Sequence, residues 1–191
     1  MKKRTLNLLA GLVVGVSALA QADEPLWMRG GAISPDGEQI AFSYMGNLYT
    51  VPVKGGEAVQ LTTNDNYDGH PMWSPDGKEL AFIEDRRKLM VVNLDTKKVR
   101  QITDGSLWHS TAGYFDYRWS PDGKWFTLCF IGNKHDPYSD IGIVSAQGGE
   151  ITNLTNSGYT SGSPRWVMDG NAILFTSERY GMRNHASWGS M

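Results

Sequence analysis

A four-residue turn recurs along the chain and limits the folds open to it more than any other feature. Ser34-Pro35-Asp36-Gly37 returns as Ser74-Pro75-Asp76-Gly77 and as Ser120-Pro121-Asp122-Gly123, with a worn copy at Val167-Met168-Asp169-Gly170. The four glycines are 40, 46 and 47 residues apart. Trp73, Trp119 and Trp166 stand immediately before the motif, and Ile33 takes that place in the first copy. Proline presets φ for the first central position, and aspartate followed by glycine supplies a tight reversal. A strand should therefore end at each tryptophan, and another should begin just past each glycine.

The residues between motifs complete the unit. A second strand alternates at Ile40-Ala41-Phe42, Leu80-Ala81-Phe82, Phe126-Thr127-Leu128 and Ile173-Leu174-Phe175. A third reads Leu48 to Val51, Leu89 to Val92 and Ile141 to Val144, and a fourth Val59 to Thr62, Val99 to Thr103 and Ile151 to Thr155. Hairpin turns at Lys54 to Glu57, Asp95 to Lys98 and Gln147 to Glu150 join the third strand to the fourth. Four antiparallel strands in 40 to 47 residues are one blade of a β-propeller. The turn chemistry and the lack of a 3.6-residue pattern exclude helical repeats, and a plain β-sandwich would not repeat its turns at blade spacing. The expected fold is all-β: an incomplete propeller of three four-stranded blades plus part of a fourth, turning at 34–37, 74–77, 120–123 and 167–170. Three blades and a piece leave blade faces and a strand edge open, so the chain is expected to be the front portion of a longer protein.

Residues 1–22 belong to a different class. Lys2, Lys3 and Arg4 precede an apolar run from Leu6 to Ala20, and Ala20-Gln21-Ala22 is a small-x-small cleavage pattern. This is the signature of a secretory signal peptide, too short for a spanning helix. Cleavage after Ala22 leaves the propeller as 23–191, moves the formal charge from −2 to −5 and puts the mature chain in the periplasm or otherwise outside the cytoplasm. No membrane span is expected after cleavage, and no cysteine at the new terminus suggests a lipid anchor. Cys129 is the single cysteine, so no internal disulfide can form, and stability must come from the core. The modest charge points away from nucleic acid.

The run Trp-Ser-Pro-Asp-Gly-Lys, followed by an Ala-Phe strand, Leu-Tyr-x-Val, Gly-Gly-Glu and Leu-Thr, resembles the TolB-type (WD40-like) propeller repeat over nearly the whole mature chain. Such propellers serve transport proteins, peptidases and lyases, so this likeness implies a fold and leaves function open. A narrower likeness lies in His135 to Gly142 and Ser177 to His185, which resemble the amino-terminal propeller of tricorn-type serine peptidases. There, propellers precede a PDZ-like domain and a distant serine peptidase domain. The resemblance implies a non-catalytic region that guides or filters peptides, with the downstream domains of the same parent as partners. A periplasmic TolB-like module that docks a partner protein is the other reading.

Catalytic residues are not expected in this chain. It has no Gly-x-Ser-x-Gly elbow, phosphate loop, His-Glu-x-x-His helix or paired-cysteine zinc spacing. The Asp-Gly pairs lack the run of oxygen ligands of a calcium loop, and Cys129 falls on an inner strand as a buried thiol. Neither cofactor nor metal is expected, because the four histidines fall on different blades. An active site at the ring centre would need acidic or metal-binding residues converging from several blades, and no such set stands out. Asn153-Leu154-Thr155 matches a glycosylation triplet but lies in an expected strand.

Strand alternation puts the short turns on one face of the disc and the long loops on the other. All four histidines fall in the long loops, His70 and His109 between fourth and first strands, His135 and His185 between second and third. With them come Tyr67, Trp108, Tyr114, Tyr138, Arg179, Tyr180 and Arg183. Packing accounts for any one of these aromatics. Together, on loops held by a rigid scaffold, they mark the face expected to bind a peptide or protein.

Overall fold

A computed structural model describes residues 27–105, 116–131 and 138–179. Its first sheet has strands β1 (Arg29–Ile33), β2 (Gln39–Tyr44), β3 (Asn47–Pro52) and β4 (Val59–Gln60). The second has β5 (Asp68–Trp73), β6 (Glu79–Glu84), β7 (Lys88–Asn93) and β8 (Val99–Gln101), and the third β9 (Tyr117–Trp119), β10 (Trp125–Phe130), β11 (Asp140–Ser145) and β12 (Thr152–Asn153). Each is a four-stranded antiparallel meander in chain order, while β13 (Ser161–Val167) and β14 (Ala172–Ser177) form a two-stranded sheet. The expected architecture is present: three blades and the first half of a fourth.

The turn motif is a small hydrogen-bonded knot. Ser74 Oγ donates to Asp76 Oδ1 at 2.6 Å and accepts from the Glu79 N–H at 3.0 Å, while Asp76 Oδ1 also accepts from the Lys78 N–H. Ser34 and Ser120 repeat this with Asp36 and Asp122. The serine bond, then the backbone bond, hold all three carboxyls below the ordinary aspartate value. Gly37, Gly77 and Gly123 take φ of 75°, 72° and 70°, the left-handed region a side chain resists. In the worn copy Met168 replaces proline and no serine ties the turn. There Met168, Asp169 and Gly170 all take positive φ, 52°, 54° and 89°, and the Asn171 N–H closes the turn on the Met168 carbonyl at 3.1 Å.

Period-two alternation builds the interior, because both faces of a blade meet a neighbour. Leu80 and Phe82 of β6, with Met90 and Val92 of β7 and Trp73, pack on Ala41, Leu48 and Leu61 of the first blade. Their alternates Ala81, Ile83, Leu89 and Val91 pack on Trp119, Phe126, Leu128 and Val144 of the third. Burying each large side chain contributes roughly 1.5–3 kcal/mol. The tryptophans add one directional bond per joint. Trp73 Nε1 donates to the Ala32 carbonyl at 3.0 Å, Trp119 to Met72 at 3.4 Å and Trp166 to Arg118 at 3.3 Å. Ile33, in the corresponding place of the first blade, is exposed.

The fourth strands are shorter than the sequence suggests. The paired strands end at Gln60, Gln101 and Asn153, because the threonine two residues further on intervenes with its side chain. Thr62 Oγ1 accepts from the Leu48 N–H, Thr103 Oγ1 from Leu89 and Thr155 Oγ1 from Ile141, at 3.0, 2.9 and 3.1 Å. A hydroxyl takes the place of a strand carbonyl, and the chain turns away.

Candidate functional site

The connections from second to third strand and from fourth strand to the next blade share one face. The hairpins Met45-Gly46 and Asp85-Arg86 have both central residues at positive φ, the geometry that matches strand twist. They anchor the loop between the first two blades. The Asp68 N–H donates to the Gly46 carbonyl at 2.8 Å, and Tyr67 and Asp85 exchange bonds, Tyr67 N–H to Asp85 Oδ1 at 2.9 Å and Asp85 N–H to the Tyr67 carbonyl at 2.8 Å. Tyr67 is exposed at its rim and lies over Gly69, where a methyl would come within 3.0 Å of the ring.

Asp68 opens β5 beneath Tyr67 and is fully buried, and Glu84 stands directly opposite it on β6, also buried. Asn64 Nδ2 donates to Asp68 Oδ2 at 3.2 Å, and Lys88 Nζ pairs with Glu84 at 3.1 Å. Burial above all, helped by Glu84 and Asp85 and opposed by bonds from Thr62 and Asn64, pushes the Asp68 carboxyl up to about 6.

His70 stands inside β5 and not in the loop before it, which corrects the expected position. It is the left-handed residue of a β-bulge between Gly69 and Met72, at φ 56°. Gly30 of β1 and Ser163 of β13 occupy matching bulges at φ 65° and 52°. The bulge turns the His70 carbonyl toward the next blade, where the buried Tyr117 hydroxyl donates to it. The His70 imidazole is held below its ordinary value, first by burial of its ring and then by the Arg86 charge. Tyr138 is exposed at its rim, and Arg179 lies over the Tyr159 ring, 5.7 Å from its centre. Trp108, His109, Tyr114, His135, Tyr180, Arg183 and His185 lie outside the described residues. The loop face thus brings the Tyr67 ring over Gly69, beside Asp68, and Arg179 to Tyr159.

The axis side of the blades carries a charged group that the motif search missed. Asp116, three residues before Trp119 as His70 is before Trp73, pairs with Arg118 at 3.2 Å and with Arg165 of the next blade at 3.0 Å. The available signal was the fixed offset from each tryptophan, since Arg118 and Arg165 both immediately precede one. Cys129 lies nearby, and burial, with Asp116 adding to it, pushes its thiol up to about 11. It is protonated at neutral pH and a poor nucleophile. Asn153 spends its amide on Asp140 at 2.9 Å, which leaves the glycosylation triplet a structural role. Among the described residues no group of three or more His, Cys, Asp or Glu side chains could hold a metal.

Fold and site define a β-propeller arc with a polar, aromatic loop face. Residues 34–131, 98 of the 191 and so just over half, match the dipeptidyl peptidase IV (DPP IV) N-terminal region, and the chain belongs to that family. It is similar to the "Uncharacterized peptidase YuxL" of Bacillus subtilis (strain 168), 23% identical over 85% of this chain and 30% of that protein. Among solved structures it resembles a putative TolB from Agrobacterium tumefaciens, with a TM-score of 0.61 and 25% identity over 78% of this chain and 54% of that one. It also resembles the tricorn protease in fold, with a TM-score of 0.62 and 20% identity over 82% of this chain and 16% of that one. The chain spans less than half the length of the curated relatives it matches first. The expected kinship with TolB-like propellers is thereby met, and the tricorn protease shares the fold.

Proposed function

We propose that the chain is the non-catalytic propeller region of an exported tricorn-type serine peptidase and guides or filters peptides on their way to a catalytic domain. The observation that carries this reading is family membership in a peptidase amino-terminal region, joined to the likeness to a peptidase over 85% of the chain. Residues 1–22 supply the export signal in the reading, and 23–191 the working domain. Tyr67, His70, Tyr138 and Arg179 contact the peptide from the loop face, together with the candidates of the undescribed loops. Rigid hairpins under an aromatic rim suit transient, sequence-tolerant contacts.

Hydrogen exchange on the purified chain, with and without a tryptic digest of casein, tests the binding face. The reading expects protection in 61–70 and 157–160, and a loss of affinity of about fivefold or more in Arg179→Ala. Protection confined to the Ser-Pro-Asp-Gly face, or none, would overturn it. A second reading, a periplasmic TolB-like interaction module, is favoured by the likeness to the Agrobacterium protein at 25% identity. It expects the same face to retain a folded partner protein and to ignore the digest.

A further inference from the structure

Among the described residues, the buried side-chain oxygens without a hydrogen-bond partner are Asn47 Oδ1, Asp68 Oδ1 and Ser161 Oγ, and all fall at one place in the repeat. The Asp68 N–H donates to the carbonyl of Gly46, the residue before Asn47, at 2.8 Å. The Ser161 N–H donates to that of Ser139, the residue before Asp140, also at 2.8 Å. Asn47 opens β3 and Asp140 opens β11, and the residue after each donates its N–H to Thr62 or Thr155. Asn47 with Asp68, between the first two blades, therefore corresponds to Asp140 with Ser161, between the last two. Lys88 opens β7 and takes the place of Asn47 in the second blade, since the next residue, Leu89, donates to Thr103.

The three blades differ in how they satisfy this position. Asp140 is saturated with donors: Oδ1 accepts from Thr155 Oγ1 at 2.7 Å and Oδ2 from Asn153 Nδ2 at 2.9 Å. Lys88 brings a positive charge of its own, paired with Glu84 at 3.1 Å. The first joint has neither device. Gln60, in the place of Asn153, turns its amide to the Thr62 carbonyl at 2.8 Å. Asp68 is left fully buried, with Asn64 on one oxygen and no donor on the other. A buried charge is stable when it is paired or holds a cation. A bound water would satisfy the bare oxygen and leave the charge uncompensated.

We propose that the joint between the first two blades binds a monovalent cation of sodium size, with Asp68 Oδ1 and Asn47 Oδ1 as its side-chain ligands. Charge sets the valence: Asp68 and the Glu84 opposite it carry two negative charges against the single Lys88 ammonium. Carboxylate and amide oxygens, without sulfur or imidazole, suit a hard ion. The cation braces the joint beneath Tyr67. The inference is independent of the peptide-binding reading.

The test compares thermal melts of the purified chain at pH 8 in sodium chloride and in choline chloride at equal ionic strength, with sodium NMR linewidths as a second readout. Choline screens surface charge equally and is too large for a buried site. The chain is expected to melt several degrees higher in sodium, with a gain that follows sodium binding, and to broaden the sodium signal. Asp68→Asn removes the buried charge, so it should melt alike in the two salts and lose the broadening. Asn47→Leu keeps the charge and should weaken sodium binding by about tenfold or more. Asp76→Asn, in an exposed turn, should keep the full sodium effect. Equal melts of the unaltered chain in the two salts would overturn the proposal and leave a water in the joint. So would a sodium effect that survives in Asp68→Asn or is undiminished in Asn47→Leu.

Discussion

Between the first two blades the Asp68 carboxyl has Oδ2 bonded to Asn64 and Oδ1 without a hydrogen-bond partner, opposite the buried Glu84. Its value is about 6 in the folded chain against 3.8 unfolded. Below 3.8 both states hold the proton and the group is neutral in the balance. As pH rises between the two values the folded state keeps a proton the unfolded chain has lost, so stability falls, and above about 6 the full cost is present. That cost is on the order of 3 kcal/mol. Asp68→Asn should therefore raise the melting temperature by several degrees at pH 8 and hardly at all at pH 4, read from thermal melts; equal effects at both would remove the carboxylate as the cause. The turn aspartates act in the opposite sense, with values below 3.8, so their contribution is lost as pH falls through the folded value. Ser74→Ala removes both bonds of its hydroxyl. It should cost about 1–2 kcal/mol and return the Asp76 carboxyl toward its ordinary value in an NMR titration.

Among the elements, the joints between blades carry the most specific contacts. Trp73→Phe keeps most of the ring and loses the bond to Ala32, with an expected cost of about 1–2 kcal/mol in urea melts. Trp73→Ala leaves a cavity and should cost about 3–5 kcal/mol. If the two variants were equally destabilised, the ring and not the bond would be irrelevant to the joint. Gly142 in β11 is a steric glycine: a methyl there would stand 2.5 Å from Ile151 Cγ2 and 2.8 Å from Phe130 Cε1. Gly142→Ala should lose about 1–3 kcal/mol. The second and third strands were legible from alternation and the turns from their chemistry. The ends of the fourth strands were not, because a threonine hydroxyl closes the ladder there and the Leu-Thr pattern alone reads as more strand. His70 was misplaced for a related reason: a bulge carries β5 past the point where simple alternation breaks.

At the scale of the whole molecule the chain is an arc of stacked blades, with prolines of one turn set against glycines of the next. A methyl on Gly77 would lie 3.7 Å from Pro35, and one on Gly170 3.3 Å from Pro121. The repeat made this arc readable, since its period fixes both blade number and which face carries the long loops. The site was less legible. Asp68 with Glu84, and Asp116 with Arg118 and Arg165, meet across strands or blades, and linear spacing does not reveal such pairs. In the proposed reading the arc is exported, and amino-terminal sequencing of the protein recovered from the periplasm should begin at Asp23; a chain that keeps Met1 would contradict cleavage. The central claim, that this propeller serves a serine peptidase, is tested most directly by sequencing the encoding DNA in frame beyond the codon for Met191. The account predicts further propeller followed by a domain with a serine nucleophile. An in-frame stop with no such domain would contradict it and leave the partner-binding module.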